Sequence, residues 1–361
     1  MGDHSNWTRP RVFTVALLGA ILLLSRGDAD TPQPRVIVGP WISDVVVGPG
    51  LDVSGRNLRG SVFVGQNLAG AVFDHCDLQG ARIEDCNLTN ASFRGARLTG
   101  AEVAGTLKGA DFTDAIISGS AVQLSPEQLT STRSYKTKDL SGCFISATEA
   151  GPQAAAELTF REMNLTGANL PGDVRRFDFT DARIAGTEFR GSITFEQLAS
   201  TADFKRRELS CELGRSLDGE ADFSRLNLRG ARLPLSRTVV ANFTDAQISD
   251  CLVGRGFTKA NLYSTADYKR GVIMRTVFLH CDFSGVDLSG MCLIESRFQL
   301  CDLKGANFED AVITRVNFGD GSFDQSTGLT ADQIKSTWNY KHGRIEGITL
   351  PVYLRESVLN E

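Results

Sequence analysis

Hydrophobic residues recur at every fifth position along most of this chain. From Val53 to Val103, eleven consecutive positions spaced by five are Leu, Phe, Ile or Val, and the same register returns from Phe278 to Phe323. A small residue such as Ala or Cys often stands two places before each of these centres, and Asp or Asn often stands one place before it. Shorter runs with the same pattern lie between the two long ones, at 165–170, 179–189, 223–233 and 243–253.

A period of five fits neither an α-helix nor a straight β-strand. Successive centres on an α-helix would be rotated by about 140° from one another, and on a strand they would alternate between its two faces. A chain that runs extended for about three residues and then turns a corner keeps both the centre and the small residue inward. Four such sides would close a coil of about twenty residues, with stacked coils about 4.8 Å apart. Gly two residues after the centre would relieve each corner.

Tandem Ala-(Asp/Asn)-(Leu/Phe) units are the most specific signal in the chain. They include Ala110-Asp111-Phe112, Ala168-Asn169-Leu170, Ala221-Asp222-Phe223, Ala241-Asn242-Phe243 and Ala306-Asn307-Phe308. Over most of residues 51–323 the pattern resembles the pentapeptide-repeat family, and more narrowly the exported, multi-repeat proteins of planctomycete-like bacteria. The resemblance implies an all-β fold, a right-handed quadrilateral β-helix, and it carries over no catalytic or cofactor-binding residues.

A longer repeat interrupts the first one four times. Each copy reads [Ser/Thr]-x-x-[Gln/Asn]-[Leu/Ile]-x-Ser-Thr-x-x-aromatic-Lys, starting at Ser125, Thr194, Thr258 and Thr330. The first and fourth positions match a capping box, which predicts a short helical insert in each copy. The predicted organisation is a signal peptide at 1–29, an N-terminal cap at 30–50, four modules at 51–145, 146–214, 215–275 and 276–350, and a tail at 351–361.

Each insert ends in an aromatic residue followed by Lys. One interpretation is structural, with the ring packed on the coil beneath it and the Lys amine directed to solvent. The other is a repeated recognition feature along one edge of the solenoid. The candidate interaction residues are Tyr135, Lys136, Phe204, Lys205, Tyr268, Lys269, Tyr340 and Lys341.

The N-terminus matches a secretory signal. Arg9 and Arg11 precede an apolar stretch from Val12 to Leu24, and small residues at Gly27 and Ala29 fit a cleavage site. The alternative is an uncleaved anchor or a buried hydrophobic segment. Cleavage after Ala29 would export the chain, to the periplasm or outside the cell, and would leave no membrane span in the mature protein, since no second apolar run is long enough.

The ends of the solenoid need covers, because an open β-helix exposes unpaired strand edges. Residues 36–47 are predicted to cover the first coil, and 342–361, with Ile345, Ile348, Leu350, Val352 and Leu354, the last. An end left apolar would favour a homodimer.

Candidate chemistry is sparse. Only four His are present. In the recurring triplets His75-Cys76-Asp77 and His280-Cys281-Asp282 the side chains are expected to alternate inward and outward, so the triplets are interpreted as ordinary repeat residues and not as a metal or catalytic site. We predict no cofactor. Five of the eight Cys occupy the inward slot; Cys281 and Cys301 lie one coil apart, which leaves a disulfide open. Cys143 and Cys211 follow the inserts and are expected to be free or paired at the surface.

Charge narrows the function classes. With 38 Lys+Arg against 43 Asp+Glu, the net charge of -5 argues against nucleic-acid binding through a basic surface. The leading hypothesis is an exported, non-enzymatic scaffold with an unknown protein partner. The first alternative is a DNA mimic that binds DNA gyrase, as some members of the pentapeptide-repeat family do. Outward Arg residues and the export signal disfavour this alternative. The second is an enzyme or metal-binding module.

Overall fold

The computed structural model describes residues 47–146, 158–214, 217, 219–319 and 326–359. The predicted signal peptide and nearly all of the predicted N-terminal cap lie outside these residues. Within them the chain winds into a solenoid of stacked coils joined by parallel strand pairing. This confirms the predicted β-helix.

Each short strand pairs with the segment about one coil later. Phe63 pairs with Ile83, which pairs with Val103. Further parallel bridges begin at Asp52, Asn57 and Asn67, each with a residue twenty positions later. The strands are β1 Val62–Val64, β2 Arg82–Asn87, β3 Glu102–Thr106, β4 Ala121–Val122, β5 Asn169–Leu170, β6 Glu188–Phe189, β7 Glu212–Leu213, β8 Glu220–Asp222, β9 Arg232–Leu233, β10 Val240–Asn242, β11 Leu252–Val253, β12 Val277–Leu279 and β13 Arg297–Gln299.

One column of parallel pairings continues through the four predicted modules. It starts at Val62 and ends at Thr349, and neighbours in the column are paired at every step. The paired positions are Val62, Arg82, Glu102, Ala121, Phe144, Asn169, Glu188, Glu212, Arg232, Leu252, Val277, Arg297, Asn317 and Thr349. Thirteen steps at the strand spacing give a wall about 60 Å long.

The core lies along the solenoid axis. The predicted centres from Val53 to Val103 are at most 2% exposed. Phe73 and Phe93 stack with their ring centroids 4.9 Å apart, and Phe93 stacks on Phe112 at the same distance. Each coil therefore adds one layer to a continuous apolar column, which confirms that the five-residue centres point inward.

The corners are formed by Gly as predicted, and the Asp or Asn before a centre hydrogen-bonds nearby groups. The side chain of Asn87 accepts a hydrogen bond from the backbone N–H of Thr89, 3.1 Å away, and its amide donates to Asn67 in the preceding coil. Gly60 takes φ +64° two residues after a centre. Where a side chain occupies that position, as His75 does at φ 56°, it adopts the same left-handed conformation.

A pair of short helices occurs in each of the four longer repeats. Ser125 caps the first pair, and its partner Gln128 donates hydrogen bonds to the carbonyls of Leu107 and Ala110 in the preceding coil. The backbone N–H of Arg133 donates to Ala115 O, so the helices take the place of coil sides within the wall. The pairs are α1 Pro126–Ser131 and α2 Arg133–Lys136, α3 Phe195–Ser200 and α4 Ala202–Lys205, α5 Lys259–Ser264 and α6 Ala266–Lys269, and α7 Ala331–Lys335 and α8 Trp338–Lys341.

The C-terminal segment packs on the last coils. A 3-10 turn at Val352–Leu354 leads into helix α9, Arg355–Leu359. Leu350 and Leu354 are buried, as predicted, but Val352 is 58% exposed, so its assignment to the cover is wrong. The turn directs Val352 to solvent, and Val358 of α9 is buried instead.

Candidate functional site

The four predicted lysines each form an ion pair with the preceding coil. Their Nζ atoms lie 2.7–2.9 Å from the carboxylate of an Asp that occupies a left-handed corner. The Lys side chains keep 40–49% of their surface exposed. The pairs are Lys136–Asp114, Lys205–Asp181, Lys269–Asp245 and Lys341–Asp310. The hydrogen bond and charge of Lys136 lower the pKa of Asp114, and Lys269 does the same for Asp245.

The aromatic partners of these lysines pack against the core. The Tyr135 hydroxyl donates to Thr159 O in the following coil at 2.9 Å and accepts from Thr159 N–H. The Tyr268 hydroxyl donates to Asp287 O at 2.8 Å, and burial raises the pKa of Tyr268. Phe204 packs edge-on against Phe195, and Tyr340 lies half-buried against the core. The structure therefore places the eight residues at equivalent positions in four separate coils.

Sequence reasoning missed the residue just before each aromatic. This position holds Ser134, Asp203, Asp267 and Asn339, and each is buried. Each side chain accepts a hydrogen bond from the backbone N–H of an Ile in the preceding coil, at 2.5–3.0 Å. The sequence does contain a signal, since all four repeats carry a short hydrogen-bonding side chain at this position. In the structure this side chain connects the second helix of each pair to the coil beneath it.

The cysteines are free thiols, and those that stand two residues before a centre are buried. Of the two alternatives for Cys143 and Cys211, free or paired at the surface, both thiols are free. They are 1% and 0% exposed, because each lies in the inward slot two residues before a buried centre. Burial raises the pKa of both thiols to about 12. The neighbouring Cys301 thiol raises the pKa of Cys281 well above its ordinary value, and burial adds to this.

The His-Cys-Asp triplets do not converge on one point. Cys76 and Cys281 are buried, while Asp282 is exposed and His280 lies beside Arg255 at 3.3 Å. Within the part of the chain that the structure describes, no group of His, Cys, Asp and Glu could hold a metal ion. The same described residues contain no helix long and apolar enough to cross a membrane.

Comparison with known proteins identifies the repeat. The family model described as pentapeptide repeats matches eight copies, over residues 51–85, 76–119 and 281–320. A comparison with curated proteins gave no match.

Three solved structures are similar to this chain. The first is HetL, a pentapeptide repeat protein involved in heterocyst differentiation regulation in the cyanobacterium Nostoc sp. strain PCC 7120, at 14% identity over 73% of this chain and 88% of that one, with a TM-score of 0.17. The second is QnrB1, a plasmid-mediated fluoroquinolone resistance protein, at 14% identity over 87% and 96%, with a TM-score of 0.16. The third is a pentapeptide repeat protein from the Arabidopsis thaliana thylakoid lumen, at 25% identity over 37% and 69%, with a TM-score of 0.12.

The assignment rests on two observations about this chain itself. The family model matches both long runs of five-residue units, and the centres of those runs form the buried column of a parallel solenoid. Residues 51–119 and 281–320 therefore match the pentapeptide-repeat model, and the described residues fold as a parallel β-helix solenoid.

Proposed function

We propose that this protein is an exported, non-catalytic scaffold that binds a protein partner along its outer wall. The supporting observation is the unbroken column of pairings from Val62 to Thr349, which presents a rigid face about 60 Å long. Near β1 and β2, four positions spaced five residues apart each pair with the residue twenty positions later: Asp52, Asn57, Val62 and Asn67. They support a quadrilateral coil, in which this face is one of four sides.

The composition of this face favours a protein partner. Half-buried apolar side chains, among them Phe144, Leu252 and Val277, share this face with charged residues of both signs. Four of these charges form two ion pairs between adjacent coils, Arg82 with Glu102 and Arg232 with Glu212. A DNA mimic needs an array of negative charge, and a mixed apolar and charged face is instead typical of protein interfaces.

The test is site-specific photo-crosslinking in the native host. A photoreactive phenylalanine analogue replaces Leu252 on the face, and in the matched control it replaces Lys304, which is exposed on another part of the wall. We expect a discrete crosslinked protein from the Leu252 position alone. Equal crosslinking from both positions, or none from either, would contradict the proposed face.

The four aromatic–lysine pairs are proposed as a second set of contact points. Their lysines stay about half exposed although each is ion-paired, so a partner can still reach the charge. Replacing Lys136, Lys205, Lys269 and Lys341 together with Gln should weaken the complex captured in the crosslinking experiment. The control replaces Lys108 and Lys304, and an equal effect would argue that the pairs serve only to join coils.

Export is the remaining part of the proposal, and its support is the sequence of residues 1–29. A chain that starts at Asp30, made in the same host, should stay in the cytoplasm while the full chain leaves it. Identical distribution of the two chains would contradict a signal peptide.

A further inference from the structure

A basic depression lies beside the first helix pair, away from the face proposed for a protein partner. It has a volume of about 360 Å³ and opens to solvent. Its walls come from four consecutive layers of the solenoid: His75, then the segment 94–97, then 113–116, then Arg133 of α2. Residues far apart in sequence therefore meet around one opening.

Gly95 makes room for the depression. It occupies a corner with φ +63°, and a Cβ at this position would lie 2.5 Å from Nδ1 of His75. The imidazole ring of His75 therefore folds over the glycine. Any larger residue would displace the ring and fill the space between the layers.

The lining carries an excess of positive charge. It contains three arginines, Arg94, Arg97 and Arg133, and one carboxylate, that of Asp114. Asp114 is itself held by Lys136, with 2.9 Å between Nζ and Oδ1. In a chain whose net charge is -5, this is a local reversal of sign.

Two of these guanidinium groups have no fixed anionic partner. Arg94 donates to Asp111 Oδ2 at 2.7 Å, but Arg97 and Arg133 form no ion pair with any residue that the structure describes. Each guanidinium has five N–H donors in a rigid fork that suits carboxylate and phosphate oxygens. A phosphate group presents three terminal oxygens, so it can accept hydrogen bonds from more than one of these guanidinium groups at once.

We infer that this depression binds a phosphate group, either as the free ion or as the phosphomonoester of a small molecule. Arg97 and Arg133 supply the principal charge-assisted hydrogen bonds, Arg94 supplies its remaining donors, and His75 adds one ring N–H. The volume leaves space for a substituent beside the phosphate. This inference does not rest on the proposed scaffold function, because it concerns a small ligand and not a protein partner, although Lys136 borders the depression through its ion pair with Asp114.

The other helix pairs supply the test variants. The position of Arg133 is Ala202 in α4 and Ala266 in α6, so the fold accepts Ala there. Arg97 has a counterpart in Arg297, which likewise precedes a buried centre and is exposed. Arg97→Ala/Arg133→Ala is therefore the test variant, and Arg297→Ala is its matched control.

The experiment is isothermal titration calorimetry of the full chain with inorganic phosphate, glucose 6-phosphate, glucose and succinate. We expect one site for phosphate and for glucose 6-phosphate, with affinity that falls as NaCl is added. Arg97→Ala/Arg133→Ala should weaken binding by about 100-fold, since two charge-assisted hydrogen bonds are lost, and Arg297→Ala should not change it.

Several outcomes would overturn the inference. They are the absence of binding by either phosphate compound, tighter binding of succinate than of phosphate, or equal weakening by the test and control variants. Circular dichroism melting of each variant checks that it is folded. If the double variant does not fold, Arg97→Gln alone should still weaken binding by about tenfold, and unchanged binding in that variant would also overturn the inference.

Discussion

Asp267 fastens the third helix pair to the coil beneath it, and its removal should be costly. The residue is 4% exposed. Its Oδ2 accepts hydrogen bonds from the backbone N–H groups of Ile248 and Ser249, at 2.7 and 2.8 Å, and its Oδ1 pairs with Arg270. Asp267→Ala would leave both N–H groups without an acceptor, because the methyl side chain of Ala cannot accept a hydrogen bond.

The magnitude follows from these contacts. A buried donor left unsatisfied costs about 1–3 kcal/mol, so two of them predict a loss of about 3 kcal/mol in the free energy of unfolding after relief of the buried charge. Asp267→Asn keeps an acceptor oxygen, as Asn339 does in the fourth pair, and should cost about 1 kcal/mol.

Urea unfolding followed by circular dichroism measures these differences, and hydrogen exchange of the Ile248 amide reports the local effect. The control is Lys269→Ala, which removes the exposed partner of Asp245 from helix α6 and should change stability little. If Asp267→Ala and Lys269→Ala unfold at the same urea concentration, the reasoning about the buried acceptor is wrong.

Three further predictions concern the core, a corner and the buried thiols. Phe73→Ala should lower the free energy of unfolding by about 3–5 kcal/mol, whereas the outward Arg94→Ala should be nearly silent; equal thermal shifts would contradict the inward and outward assignment. Gly95→Ala should lower the melting temperature, because Ala is strained at φ +63° and displaces a ring, and an unchanged temperature would refute that clash. With a pKa of about 12, Cys143 and Cys211 should resist a thiol reagent at pH 8, where only about 1 in 10,000 would be thiolate, and should react after denaturation; rapid reaction in the native protein would contradict their burial.

The five-residue period was sufficient to predict the core. A centre such as Phe93 and the small residue two places before it are both buried, because inward direction follows from side-chain alternation within a short extended side. The caps of the helices were equally readable, since Ser125 and Gln128 form the capping box that their spacing indicates. Both signals are local, so neither required knowledge of how the coils stack.

Features that depend on stacking were not predictable. Ser92 pairs with Asp111, nineteen residues later, while Ala121 pairs with Phe144, twenty-three later, so coil lengths vary where turns shorten or helices replace sides. The meeting of His75, Arg97 and Arg133 around one opening depends on this register. The burial of Cys143 was missed for the same reason, because the helix pair before it resets the five-residue count.

The most direct test of the exported scaffold is to determine the N-terminal sequence of the protein from its native host together with the cell fraction that contains it. We expect a chain that begins near Asp30 and is found outside the cytoplasm. A cytoplasmic protein that retains Met1 would contradict the account and would make an assay of DNA gyrase supercoiling the next experiment.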